Sequence, residues 1–453
     1  MKNWKHDLSL RVVKTLNVIL LAFPFALCWY YYYADHTAAF FAANARRYVI
    51  LLYIFLYFIF GRIYDAFLIS YNSKTEMVYS QMLAALISDG LIYIVICLLC
   101  KGLQPIWPGL LAIVGQAVLS VLWVKGAHYW YFKHYRPKVT YIVYDTRSGV
   151  DILIHEYGLT KKFDVREVLP VGDVIGNLDV LEGAEEVFLS GIHSHDRNII
   201  IKYCTAKDIN TLVIPRIGDV MMSGARKMHI LHLPVLLIQR YNPSPEYVLI
   251  KRLFDILLSS IAIIITSPVF AVTAIMIKRD GGPVFYKQER LTKDARKFYV
   301  IKFRSMRVDA EKDGVARLST GDNDDRITPV GRVIRKVRID ELPQLINILK
   351  GEMSIVGPRP ERPEIAAQYE EEMPEFRLRL QCKAGLTGYA QVYGKYNTSP
   401  YDKLMMDLMY ISSPGVVEDM RIIFATIKIL FKPDSTEGIT EGHITAMDES
   451  KND

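Results

Sequence analysis

The sequence predicts a membrane protein of the α plus α/β class. We expect a four-helix N-terminal transmembrane bundle, a small Rossmann-like α/β domain, and a mainly α C-terminal domain that begins with a further membrane helix. Hydrophobic residues make up 51% of the 453 residues, and the mean hydropathy is positive. Long apolar stretches fill the first 130 residues, and short β-branched runs follow them. A further apolar stretch then leads into a region of charged motifs.

Each N-terminal apolar stretch approaches the about 20 residues that a helix needs to cross hydrocarbon. The stretches are approximately Leu16–Tyr33, Tyr48–Ile69, Met82–Cys100 and Ile106–Val124. The second contains Arg62 and Asp65, which must lie near an interface. Lys and Arg residues cluster before the first stretch and after the fourth, which predicts four spans with both termini in the cytoplasm. We assign residues 1–135 to this bundle, with a retained anchor rather than a cleaved signal peptide.

A second region, residues 136–243, alternates short apolar runs with longer mixed segments. The runs are Val139–Tyr144, Glu186–Leu189, Thr211–Ile214 and Val235–Ile238. This alternation predicts an α/β domain with a mostly parallel sheet. The turn Tyr144–Gly149 lacks the glycine-rich pattern of a nucleotide fold, which favours a structural or regulatory role over cofactor binding. His193, His195 and Asp196 have no further ligand nearby in sequence, so a polar loop is favoured over a metal site.

The fifth apolar stretch, Ile256–Ile277, belongs to the third region, residues 244–453. Basic residues flank both of its ends, so a complete crossing would oppose the positive-inside bias. Ser267 and Pro268 lie near its middle. Proline removes a helical hydrogen bond there, and nearby hydroxyls can satisfy the freed backbone groups. The chemistry leaves open both a bend that returns the helix to the same face and an ordinary kinked transmembrane helix.

Asp340 and Glu341 form an acidic pair at the predicted start of an amphipathic helix. The apolar face of that helix is Leu342, Leu345, Ile346 and Leu349. An acidic N-cap needs no function by itself. Cations nevertheless surround the pair in sequence: Lys302, Arg304, Arg332, Arg335, Lys336, Arg338 and Arg359. If the fold gathers them, they make a cationic pocket at a helix N-terminus, which suits phosphate. A carboxylate that attacks phosphate needs such cations and a divalent metal to offset like-charge repulsion.

Residues from about Lys251 to Lys432 closely resemble the bacterial sugar transferase family, the monotopic polyprenyl-phosphate phosphoglycosyl transferases. The preceding portions resemble the family's long form. The matching motifs are Lys251–Asp255, Gly282–Gln288, Lys302–Met306, Arg326–Thr328, Asp340–Gln344, Lys350–Ser354, Gly357–Pro360 and Gly385–Gly388.

The resemblance implies that Asp340 is a nucleophile. It would attack the β-phosphate of a UDP-sugar, release UMP and form a phosphosugar-aspartyl intermediate. Polyprenyl (undecaprenyl) phosphate would then take the phosphosugar in a ping-pong second step. The product would be the first lipid-linked intermediate of a surface polysaccharide, made at the cytoplasmic face of the bacterial inner membrane.

The resemblance also implies roles for the neighbouring residues. Glu341 matches the position that ligates Mg²⁺, and the basic positions around the phosphates match Lys302, Arg335 and Arg359. Lys395 stands where many members carry arginine, and lysine lacks the bidentate fork. Ser267 and Pro268 match the break of the family's re-entrant helix, which favours re-entry.

Expected partners are a UDP-sugar, polyprenyl phosphate and membrane lipid, with a homodimer as the candidate assembly. The net charge of +7 suits anionic headgroups or phosphorylated substrates and is too small to indicate nucleic acid.

Two alternative functions belong to other classes of protein. One is a non-catalytic membrane scaffold that binds nucleotides. The other is a transporter, although the first four stretches mostly lack the intramembrane charges of a transport pathway.

Overall fold

The computed structural model describes residues 2–36, 42–279, 281–307, 326–394 and 398–430. They form two compact units, which divide between Pro215 and Arg216. The predicted three-domain division stays a prediction.

The first unit begins with a bundle of apolar helices. They are α1 (Lys2–Cys28), α2 (Ala42–Ile63), α3 (Lys74–Leu99) and α4 (Trp107–His134). Helix α1 packs on α2 and α4, and α3 also packs on both. Helix α3 begins before the predicted Met82 because Ser73 caps it by accepting a 3.2 Å hydrogen bond from the Glu76 backbone. Four described helical segments are long and apolar enough to span a bilayer: His6–His36, Lys74–Leu99, Trp107–His134 and Pro245–Arg279. These segments fit the predicted helical membrane protein. Helix α2, which contains most of the predicted span Tyr48–Ile69, is not among them, so the four-helix transmembrane bundle stays a prediction.

A four-stranded parallel sheet completes the first unit. Its strands are β1 (Lys138–Tyr144), β2 (Phe163–Pro170), β3 (Glu186–Ser190) and β4 (Asn210–Val213), in the order β2-β1-β3-β4. The connecting helices are α5 (Val150–Glu156), α6 (Val171–Gly176) and α7 (Ser194–Ala206). The predicted α/β content and parallel pairing are confirmed. Strand β2 was missed because it is an edge strand in which Asp164, Arg166 and Glu167 interrupt the apolar residues, so it lacks an apolar run.

The second unit opens with α8 (Ile217–Ser223) and an antiparallel hairpin. The hairpin strands are β5 (Arg226–Ile230) and β6 (Leu233–Leu237). The prediction that Val235–Ile238 belongs to the parallel sheet was therefore wrong. Leu231 and His232 both have positive φ, which makes a two-residue turn and pairs β6 with its sequence neighbour.

Helix α9 (Pro245–Arg279) is continuous through Pro268. Proline at this position frees the carbonyl of Ile264, and the Ser267 hydroxyl donates to that oxygen at 2.8 Å. The Thr266 hydroxyl likewise donates to the Ala262 carbonyl at 2.6 Å. The expectation that nearby hydroxyls satisfy the freed backbone is confirmed, and re-entry of the helix stays a prediction.

Among the described residues, the rest of the second unit contains two small two-stranded sheets and six α-helices. The strands are β7 (Phe285–Leu291), β8 (Lys297–Phe303), β9 (Ser354–Val356) and β10 (Gly385–Thr387). The helices are α10 (Pro329–Lys336), α11 (Gln344–Lys350), α12 (Pro363–Glu372), α13 (Tyr389–Tyr393), α14 (Pro400–Ser412) and α15 (Val416–Leu430). Strands β7 and β8 pair antiparallel, and β9 and β10 pair parallel. A buried cluster of Phe298, Val300, Leu345, Ile348 and Met353 joins β8 to α11.

Candidate active site

Strand β8 presents Lys302 to the site. The next residue, Phe303, is 1% exposed and packs with Ile277 and Ile334. Because side chains alternate along a strand, burial of Phe303 turns Lys302 to the opposite side. Arg304 follows the strand and is buried, and its guanidinium donates to the Ile277 carbonyl at 3.1 Å. Arg304 therefore holds the end of α9.

The acidic pair lies in a tight turn between α10 and α11. Residues Ile339–Glu341 form a 3₁₀ turn, and α11 begins only at Gln344. The prediction that Asp340 starts the helix was wrong. Arg338, immediately before the turn, has a left-handed backbone with φ of 54°. Such a conformation is unfavourable for a non-glycine residue and is often kept where a function depends on it.

Glu341 lies between two cations. Its Oε1 accepts from Lys302 Nζ at 3.1 Å and from Arg359 Nη2 at 2.9 Å. Burial alone would raise the pKa of Glu341, but Lys302, Arg359 and Arg338 outweigh it and hold this pKa well below its usual value. Glu341 in turn raises the pKa of Arg359. Glu341 is therefore ionised throughout the physiological range.

Asp340 is electrostatically different from its neighbour. Burial and the Glu341 charge raise the pKa of Asp340 to about 6, while Lys302, Arg335 and Arg359 act in the opposite direction. Within the described residues, the Asp340 carboxylate accepts no hydrogen bond, whereas Glu341 accepts two. An unbonded carboxylate beside fixed cations is free to act as a nucleophile towards an anionic substrate.

The backbone of Arg359 is held from the buried side. Arg379 is 3% exposed and donates to the Arg359 carbonyl at 2.9 Å. Its guanidinium also pairs with Asp407 at 2.7 Å and with Glu361 at 3.4 Å. Sequence reasoning missed Arg379 and Asp407 because they come together only in the fold and belong to no quoted motif.

Gly357 is required at the start of this loop for steric reasons. A Cβ atom on Gly357 would lie 2.4 Å from the Lys383 carbonyl oxygen, so no larger residue fits without moving the backbone. The close approach fixes the segment that leads to Arg359.

The structure thus joins Lys302, Glu341 and Arg359 by direct contacts, and Asp340 and Arg335 belong to the same electrostatic cluster. Lys395 lies outside the described residues. Ser267 and Pro268 lie within α9. The described residues contain no group of three His, Cys, Asp or Glu side chains arranged to hold a metal. Both cations contact Oε1 of Glu341, which leaves Oε2 and the Asp340 carboxylate as oxygen donors. This donor set fits Mg²⁺, which takes one or two carboxylates together with water and substrate phosphates.

Comparison with known proteins places the similarity in the C-terminal part of the chain. Residues 246–433 match the sequence profile of the bacterial sugar transferases. The chain is 43% identical over 192 residues to the UDP-N-acetylgalactosamine-undecaprenyl-phosphate N-acetylgalactosaminephosphotransferase of Aeromonas hydrophila, covering 42% of this chain and 45% of that protein.

Two further relatives match a similar length of this chain. Exopolysaccharide production protein PSS of Rhizobium leguminosarum bv. phaseoli is 42% identical over 190 residues, covering 39% of this chain and 93% of that protein. The UDP-glucose:undecaprenyl-phosphate glucose-1-phosphate transferase of Escherichia coli (strain K12) is 36% identical over 224 residues, covering 48% of each. The match thus spans about half of the Aeromonas and Escherichia proteins and nearly all of the Rhizobium protein.

Proposed function

We propose, since this chain belongs to the bacterial sugar transferase family, that it transfers a sugar 1-phosphate from a UDP-sugar to polyprenyl phosphate. The observation that carries the proposal is that two adjacent carboxylates differ in their hydrogen bonding and in their pKa. Glu341 is fixed by two cations, and Asp340 is unbonded beside them. The names of the relatives in Aeromonas and Escherichia describe the same reaction type.

In the first step, an Asp340 oxygen attacks the β-phosphorus of the UDP-sugar. The bond between that phosphorus and the oxygen bridging to the α-phosphate breaks, and its electron pair leaves with UMP. In the second step, a phosphate oxygen of polyprenyl phosphate attacks the same phosphorus. The aspartyl–phosphate bond then breaks, which regenerates the carboxylate and gives a polyprenyl-diphosphate sugar.

The cations make the first step electrostatically feasible. A pKa of about 6 leaves Asp340 mostly ionised at neutral pH, so it has the charge of a nucleophile. Lys302, Arg335 and Arg359 outnumber the two carboxylates, so the cluster is net positive where the diphosphate would lie. Arg359 is also suited to bidentate contact with phosphate oxygens.

Mg²⁺ would be held by Oε2 of Glu341 with the Asp340 carboxylate nearby. When bound, the ion supplies positive charge to the substrate phosphate oxygens. Lys302 and Arg359 both bind Oε1, so they orient Glu341 and leave its second oxygen outside these two ion pairs.

For the membrane, we propose that α9 re-enters on the cytoplasmic side of the bacterial inner membrane. The basic residues at both ends of the apolar stretch support this placement. Arg279→Cys, in a background without accessible native cysteines, should be labelled only from the cytoplasmic side. Labelling from outside would establish a full crossing.

Asp340→Asn tests the nucleophile. The asparagine side chain keeps the size but removes the attacking carboxylate, so UMP release should fall by at least about 1,000-fold. Wild-type protein incubated with labelled UDP-sugar should carry the label on Asp340 and lose it on addition of polyprenyl phosphate.

Asp294→Asn, at an exposed turn, is the matched control and should retain activity. Both variants should elute as the wild type does in detergent. Full turnover by Asp340→Asn would exclude the assignment. Binding of UDP-sugar by the wild type without UMP release would identify the non-catalytic scaffold instead.

A further inference from the structure

One side chain of helix α11, that of Asn347, forms hydrogen bonds with the backbone of strand β8. Asn347 Oδ1 accepts from the Ile301 backbone N–H at 3.0 Å, and Asn347 Nδ2 donates to the Tyr299 carbonyl at 2.8 Å. Backbone groups two residues apart point to the same edge of a strand, and β8 has β7 as its only strand partner among the described residues. The Asn347 amide therefore occupies the place where a further strand would pair.

The amide is fully buried and fully used. Asn347 is 0% exposed, and its Nδ2 makes another hydrogen bond to Glu352 Oε2 at 2.6 Å. A side-chain amide has two N–H donors and one acceptor oxygen, and all three are engaged here. Loss of a partner would leave buried peptide groups of β8 unsatisfied, so the register of α11 on β8 is strongly fixed.

The Asn347 hydrogen bonds connect the two elements that carry the Lys302–Glu341 ion pair. Lys302 directly follows Ile301 on β8, and Glu341 belongs to the turn that leads into α11. At the far end of α11, Arg252 donates to the Ile348 and Leu349 carbonyls at 2.7 and 2.8 Å. Helix α11 is thus held at its C-terminus by Arg252 and along its side by β8. These contacts fix the position of the preceding turn, in which Glu341 contacts Lys302.

We propose that Asn347 is a positioning residue that fixes the Lys302 ammonium against Glu341. It has no contact with the reacting atoms and acts through the register of β8 on α11. The effect on turnover rests on the proposed function, whereas the effect on the Lys302 contact does not.

The first experiment measures the contact itself in the full chain. Lys302 and Lys297, which share strand β8, are acylated with an amine-reactive reagent, and their rates are compared by mass spectrometry. Lys302 donates to Glu341, so freeing it in Asn347→Ala should speed its acylation by about fivefold, with Lys297 unchanged. An equal rise at both lysines, or no rise at Lys302, would overturn the proposal.

A second variant covers the case in which Asn347→Ala does not fold. Asn347→Asp combined with Glu352→Gln exchanges the amide and the carboxylate. It keeps the acceptor for Ile301 and a bond between positions 347 and 352, and it replaces the donation to Tyr299 with an unfavourable contact between two oxygens. The same selective rise at Lys302 is expected, and its absence would refute the proposal without reference to the alanine variant.

A double-mutant cycle connects the contact to turnover. Asn347→Ala should lower the rate of UMP release by about 10- to 100-fold, because small misplacements of charged groups are costly. In a Lys302→Met background, the same change should cost less than about threefold. Tyr410→Phe, which removes a buried 2.8 Å hydrogen bond to Asp419, is the control and should be additive with Lys302→Met.

Additive effects of Asn347→Ala and Lys302→Met would show that Asn347 does not act through Lys302. If the wild type releases no UMP, the proposed function fails. The acylation experiment then still decides the role of Asn347.

Discussion

Replacement of Lys302 by methionine removes one of the two cations on Glu341 and keeps an unbranched side chain of similar length. The Lys302 Nζ–Glu341 Oε1 distance is 3.1 Å, and the two side chains are 21% and 15% exposed. At an effective dielectric constant of about 20, two unit charges at that distance attract by about 5 kcal/mol. Desolvation of both groups offsets part of this attraction, and Arg359 remains 2.9 Å away.

We therefore expect Lys302→Met to raise the barrier of the first step by about 2–4 kcal/mol, which lowers kcat/KM by about 30- to 1,000-fold. The assay is UMP release from UDP-sugars at subsaturating and saturating concentrations in the presence of polyprenyl phosphate and Mg²⁺. Because the lysine would contact the donor phosphates in the transition state, both kcat and kcat/KM should fall.

Lys297→Met is the matched control on the same strand. Lys297 is 66% exposed and pairs with Glu289 at 2.8 Å. Exposed pairs of this kind contribute about 0–1 kcal/mol, so its activity should stay within about fivefold of wild type. If Lys302→Met retained activity within about threefold of wild type, or if both variants lost activity equally, the electrostatic reasoning would be refuted.

Two further predictions concern Glu341 and Lys162. Glu341→Gln should raise the Mg²⁺ concentration needed for half-maximal activity by about tenfold, because it replaces a charged oxygen ligand with a neutral one. An unchanged Mg²⁺ titration would count against that role. Burial lowers the pKa of Lys162 to about 7, because the charged form loses solvation, and the nearby Lys138 charge acts in the same direction. Acylation of Lys162 should therefore have its midpoint near pH 7, with the exposed Lys161 followed in the same digest. A Lys162 profile that rises only above about pH 9 would contradict the burial argument.

Much of the architecture could be predicted from patterns of apolar residues. The membrane helices and strands β1, β3 and β4 are continuous apolar or β-branched runs, and their positions were approximately right. Strand β2 and the pairing of β6 were not predicted, because an edge strand and a two-residue turn depend on neighbours in space.

The site shows a similar division. Motifs identified Lys302, Glu341 and Arg359, since charged residues in ordered segments stand out in a sequence. That two of the cations meet on one oxygen of Glu341 could not be read from spacing. Asn347 and Arg379 were missed because a buried polar side chain can be assigned a partner only when the fold is known.

The two hydrogen bonds from Arg252 to the end of α11 have a mechanical consequence. On the proposed placement, Arg252 belongs to the membrane helix α9, and it binds the C-terminal end of α11, whose N-terminal end follows the turn that contains Asp340. A shift of α9 in a thinner or thicker bilayer would then move α11 and change the position of the Asp340 carboxylate. Turnover should therefore vary with the acyl-chain length of the host lipid.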